Sequence, residues 1–109
     1  MTYEITLTEQ AKRDIAEIFN YIAYDLCSLK NAVGQFTRIQ TAIASLDTMP
    51  ERFRVFDASA STGFVIRVMP VNNYLVFYIC SRAEHTVKVI RVLYGRRDIP
   101  KIKDSTQEN

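Results

Sequence analysis

The chain has 109 residues, 48% of them hydrophobic and 24% charged, with a net charge of +2, which is the composition of one ordinary globular domain. A chain of this length buries roughly two-thirds of its unfolded surface, so its core needs no metal or disulfide staple. No stretch approaches the roughly 18 apolar residues of a membrane span, and no basic segment followed by an apolar one opens the chain, so a cytoplasmic protein is expected.

"TYEITL" at 2–7 alternates Tyr3, Ile5 and Leu7 against Thr2, Glu4 and Thr6, the pattern of a half-buried strand. Thr8 then supplies an N-cap and Glu9 suits the positive end of a helix. Ala11, Ile15, Ile18, Phe19, Ile22 and Leu26 follow at helical spacing, so a helix is predicted from Glu9 to Asp25. Ser28 caps a second helix with an apolar stripe of Leu29, Ala32, Val33, Phe36, Ile39, Ile43 and Leu46, which Pro50 is expected to stop. Gly34 inside it points to close contact between helices. The short connection makes the two helices antiparallel neighbours, lying together on one face of a sheet.

Residues 51–61 lack a clear period and read as a loop with at most a short extended piece. Three strands are predicted beyond it: 63–71, 73–81 and 86–95, with Asn72 and Asn73 in a tight turn and "RAEH" in the next. Pro70 belongs near a strand end or on an edge. "YLVFYIC" is almost wholly apolar, so it reads as the central strand, covered on both faces, although the two helices cover only one. The tail from 101 to 109 is polar and expected to fray. Cys27 and Cys80 are expected to be buried reduced thiols. No C-x-x-C pair, metal-ligand spacing, Gly-rich phosphate loop or Ser-His-Asp set appears, so neither a metal nor a cofactor is expected.

Charge is uneven: residues 1–50 carry −2 and residues 51–99 carry +4, which places any electrostatic function in the second half. With "LTEQAKRDIAEIFNYIA" in the first helix, "NYLVFY" in the central strand and "IRVLYGRRDI" near the end, the chain resembles the RelE/ParE toxin superfamily over residues 2 to about 100. These are the toxins of type II toxin–antitoxin and plasmid-stabilisation modules. The resemblance implies a single α+β domain over residues 1–100, with two antiparallel helices on one face of a small antiparallel sheet in the order β-α-α-β-β-β. It also implies a cognate antitoxin whose segments fold onto the toxin and bury its apolar grooves, including the sheet face left open by the helices. Self-association through the same grooves stays open.

Relatives divide into inhibitors of DNA gyrase, the ParE-like branch, and ribosome-dependent messenger endoribonucleases, the RelE-like branch, which need no metal. Cleavage of RNA through its own 2′-hydroxyl requires a base, cationic donors for the developing charge and an acid for the leaving oxygen. If the chain is a ribonuclease, Arg67, Tyr94, Arg96 and Arg97 are the catalytic candidates. Ribonuclease members commonly carry an arginine on the central strand where this chain has Leu75, and an apolar residue gives nothing to a phosphate. His85, in a turn, and Glu51 and Glu84 read as solvated loop residues. Gyrase inhibition through a protein contact is therefore the leading expectation, with Arg91, Tyr94, Arg96 and Arg97 as target-binding residues of the types enriched in interface hot spots. A solvated strand end is the competing reading for Arg96 and Arg97.

Overall fold

The computed structural model describes residues 2–58 and 64–95. Its elements are β1 (Glu4–Leu7), α1 (Glu9–Asn20), α2 (Leu29–Ala44), β2 (Val55–Asp57), β3 (Ile66–Val71), β4 (Tyr74–Ser81) and β5 (Thr86–Tyr94). The strands form one sheet in the order β1-β5-β4-β3-β2, so the apolar β4 is central, as expected. All neighbours are antiparallel except β1 and β5, which run parallel with Glu4 beside Thr86 and Leu7 beside Val89. After the helical hairpin and the meander, the last strand re-enters beside the first in the same direction.

The helices are capped as their sequences dictate. Thr8 Oγ1 accepts from Ala11 N at 3.0 Å, and Ser28 Oγ accepts from Asn31 N at 3.4 Å. Helical geometry does persist to Asp25, but its last stretch, Tyr21–Asp25, is a π-helical turn. The wider turn breaks the 3.6-residue phase. Leu26, expected on the buried stripe, is consequently 56% exposed.

The stripe expected on α2 divides in two. Ala32, Gln35, Ile39 and Ile43 face inward, whereas Leu29, Val33 and Phe36 recur at i, i+4 and i+7 on an exposed flank, with Phe36 edge-on to Phe19 at 6.2 Å. Gly34 meets no neighbouring helix. A Cβ there would have three guanidinium atoms of Arg38 as its nearest neighbours, the first at 3.4 Å, so the glycine makes room for Arg38 to fold back along its own helix. Pro50 does not stop α2 either, because the chain has already passed through a 3₁₀ turn at Ser45–Asp47 and a left-handed Met49 (φ 48°) before Pro50 opens a second such turn. The end is closed instead by Arg52, whose guanidinium donates to the carbonyls of Ser45, Thr48 and Met49.

Asn72 adopts φ 55° in the two-residue turn between β3 and β4, as its residue type allows. Pro70 lies near the end of β3, beyond the residues that β2 pairs with. On the helix side the sheet buries Val76, Tyr78, Val87, Val89 and Val92 against Ala11, Ile39, Ile43 and Leu46. The opposite face is not left open. Ile66, Val68, Phe77 and Ile90 are buried there with Leu75, Ile79 and Phe56 packed against them, Phe56 edge-on to Phe77 at 5.0 Å. The sequence reading allows an antitoxin segment to cover this face; in the structure its central residues are already buried within the chain, with Phe56 of β2 among the described residues that pack on them.

β5 carries a bulge: Tyr78 pairs with Val89 and Phe77 with Arg91, leaving Ile90 as the extra residue. Since β1 stops at Leu7, the edge of β5 beyond Val89 has no strand beside it among the described residues. Side chains take its place, with Thr8 Oγ1 donating to the Ile90 carbonyl at 3.0 Å and the Asp14 carboxylate accepting from Val92 N at 3.0 Å.

Candidate functional site

The two described arginines singled out from the sequence are held by the protein itself. Arg91 Nε donates to Asp14 Oδ2 at 2.7 Å and its Nη2 to Oδ1 at 3.1 Å, and the two side chains are only 14% and 4% exposed. Arg67 Nη1 donates to the carbonyls of Phe53 (2.8 Å) and Glu51 (3.1 Å), and its Nη2 lies 3.9 Å from Glu51 Oε2. Glu51, expected to be solvated, is instead a joint: its other oxygen accepts from Arg82 Nε at 2.7 Å. The Tyr78 hydroxyl donates to the neighbouring Pro50 carbonyl. Burial above all pushes its phenol up to about 12, and burial likewise raises the Cys80 thiol.

Three further expectations change. His85 is half-buried, with φ 53° and its ring 5.2 Å from that of Tyr3. Cys27 is exposed and Cys80 only part-buried, both as free thiols. Cys27 sits at φ 53° in the reversal between the helices, a position that turns its side chain outward. Arg96 and Arg97 lie outside the described residues, as does the tail.

Tyr94 is 43% exposed and edge-on to Tyr74 at 5.8 Å, directly opposite it on β4. It belongs to a groove of about 880 Å³ formed where the tip of the helical hairpin overhangs the ends of β4 and β5. Ile18, Ile22, Leu26 and Tyr21 give it an apolar wall, while Asn31, Gln35 and Arg38 of α2 give it a polar one. Burial, then the nearby Tyr94 and Tyr21, raise the Tyr74 phenol, so Tyr74 stays a neutral hydrogen-bonding group at physiological pH. Neither Arg67 nor Arg91 lines this groove. The described candidates Arg67, Arg91 and Tyr94 are thus not gathered into one constellation. The α2 wall was missed in the sequence, and its one legible signal was a polar Gln35 at the inward spacing of Ala32 and Ile39.

An apolar wall facing a polar one, under an overhanging hairpin, fits a segment of another protein better than a small reacting molecule. The fold is that of known toxins. It aligns with a structure of the chromosomal ParDE toxin–antitoxin system of P. aeruginosa at TM-score 0.68 and 10% identity, covering 85% of this chain and 96% of that one. It aligns with the archaeal RelE–RelB complex of Pyrococcus horikoshii OT3 at TM-score 0.62 and 14% identity, covering 90% and 100%. The toxin–antitoxin complex RelBE2 of Mycobacterium tuberculosis gives TM-score 0.56 and 17% identity over 86% and 99%. A search of curated protein sequences returned no match. These likenesses define a RelE/ParE-type α+β fold.

The family model for the ParE toxin of the type II toxin–antitoxin system parDE matches residues 5–99. The chain belongs to that family and is a toxin of the type II class.

Proposed function

We propose that this toxin arrests growth in the cytoplasm by binding and inhibiting DNA gyrase, and that a cognate antitoxin neutralises it by seating a segment in the groove under the helical hairpin. The observation that carries the gyrase reading is the commitment of the sheet's two arginines: Arg91 is bound to Asp14, Arg67 to the 51–53 carbonyls, and Leu75 packs into an apolar cluster where an RNA-cleaving relative would place an arginine. His85 immediately precedes β5 and Tyr94 is the last of its nine residues, about 30 Å apart at 3.3 Å per residue. They are too distant to share one proton relay. Among the described residues no helix is long and apolar enough to cross a membrane.

Controlled expression with two readouts tests the proposal. Loss of gyrase supercoiling with messenger intact is the expected result. Codon-phased messenger cuts that disappear in Tyr94→Phe would establish the ribonuclease alternative and sink the gyrase reading.

A further inference from the structure

The groove's chemistry narrows what its occupant must present, an inference that rests on reading the groove as the antitoxin's seat. Gln35 is 7% exposed. Its Oε1 accepts from Arg38 Nη2 and from Asn72 Nδ2, both at 3.3 Å, while its Nε2 is buried without a hydrogen-bond partner. Turning the amide around gives no remedy, because a guanidinium has only donors, so the oxygen must face Arg38 and the NH₂ is left over. Native interiors contain few such orphans, and each calls for an acceptor from somewhere. This one lies in the wall of a groove that Arg38, Asn31 and Asn73 also line, and the space over Gly34 lets the Arg38 guanidinium fold back towards it. The two carboxylates in the groove lie on the opposite wall, where Asp14 is bound to Arg91 and Val92 N, and Glu17 stands on α1.

We propose that the α2 wall is a carboxylate-receiving site: an Asp or Glu side chain of the antitoxin segment accepts from Gln35 Nε2 and the Arg38 guanidinium, while an apolar neighbour in that segment packs on Ile18, Ile22 and Leu26. A carboxylate fits better than a main-chain carbonyl because it brings two oxygens and a charge to a cation standing beside an orphan donor. The Arg38–Gln35 bond, at 3.3 Å, is long for a hydrogen bond and gives little resistance to re-aiming the guanidinium.

The probe is the full-length protein encoded immediately beside the toxin gene, titrated by calorimetry into folded toxin and its variants. Arg38→Gln alters an exposed side chain, and Gln35→Glu keeps the bonds from Arg38 and Asn72 while replacing the orphan donor with a negative charge; thermal unfolding checks that both fold. Each is expected to weaken binding roughly 10- to 100-fold, less so in high salt. One Asp→Asn or Glu→Gln change in the partner should cause the same loss alone and little more when combined with Arg38→Gln. If the partner binds but every acidic substitution is additive with both toxin variants, the carboxylate site is overturned and the antitoxin reading stands. If a folded partner does not bind at all, the groove reading falls and takes this inference with it.

Discussion

Truncating Asp14 to alanine tests how the last strand is held. The carboxylate is 4% exposed and accepts from Arg91 Nε and Nη2, from Val92 N and from Gln10 Nε2. Removing it takes the carboxylate from a cation that is only 14% exposed and the acceptor from a backbone N–H on an edge that no described strand covers. Breaking one side of a buried ion pair costs about 3–5 kcal/mol, and an orphaned N–H about 1–3 kcal/mol. The two losses share one group and do not add, and Arg91 has a further interaction, so a total of about 3 kcal/mol is expected. In a domain of this size that corresponds to a fall in melting temperature of roughly 12 °C. Asp14→Asn, which keeps an acceptor for Val92 N but removes the charge, should fall between wild type and alanine. Urea unfolding followed by circular dichroism measures both variants. A loss below about 1 kcal/mol for Asp14→Ala, at unchanged m-value, would refute the idea that this carboxylate anchors β5.

Three other outcomes follow from the same geometry. Tyr78 titrates near 12 in the fold against an ordinary value of 10, so its contribution is complete below pH 10 and is lost as pH rises towards 12, because the unfolded chain releases its proton first. Tyr78→Phe should flatten the decline of stability over that window, with Tyr74 and Cys80 leaving a residual slope, and should cost about 1 kcal/mol at neutral pH through the lost bond to Pro50; an unchanged pH profile would count against it. Arg67→Gln should raise proteolytic cleavage and amide exchange around 51–53 while sparing β4 and β5, and uniform exchange would show that the arginine does not hold that turn. Arg96→Ala with Arg97→Ala should abolish growth arrest while shifting the melting temperature by no more than about 2 °C, since charges past a strand end add little stability; a large drop would make them structural.

Much of this architecture was legible because it follows from periodicity and caps. Thr8 and Ser28 announced the helix starts, and apolar runs parted by the Asn72–Asn73 and 82–85 turns announced the meander. What escaped were residues whose role depends on a partner far along the chain. Asp14 reads as one more charge on an amphipathic helix until β5, 77 residues later, places Arg91 against it. Gln35 falls on the same face as Ala32 and Ile39, but no pattern says that its amide will be left one bond short. The π turn, with the displacement of Leu26 into the groove, is likewise invisible to a 3.6-residue count. The structural tie of Arg67 was equally hidden, because sequence shows a guanidinium but not the carbonyls of Glu51 and Phe53 that occupy it.

The shielded edge of β5 also bears on how such a protein behaves when alone. With Thr8 and Asp14 occupying Ile90 O and Val92 N, and with Pro70 lacking an N–H where β3 runs past β2, the stretches of β5 and β3 that extend beyond the edge strands β1 and β2 give an incoming strand few places to pair. Edge-to-edge pairing of two copies along these stretches is thereby discouraged at the moment an antitoxin is removed, when the concentration of naked toxin rises. A partner seated in the groove at the hairpin tip is therefore chosen there by shape and charge, not by pairing along the end of β5.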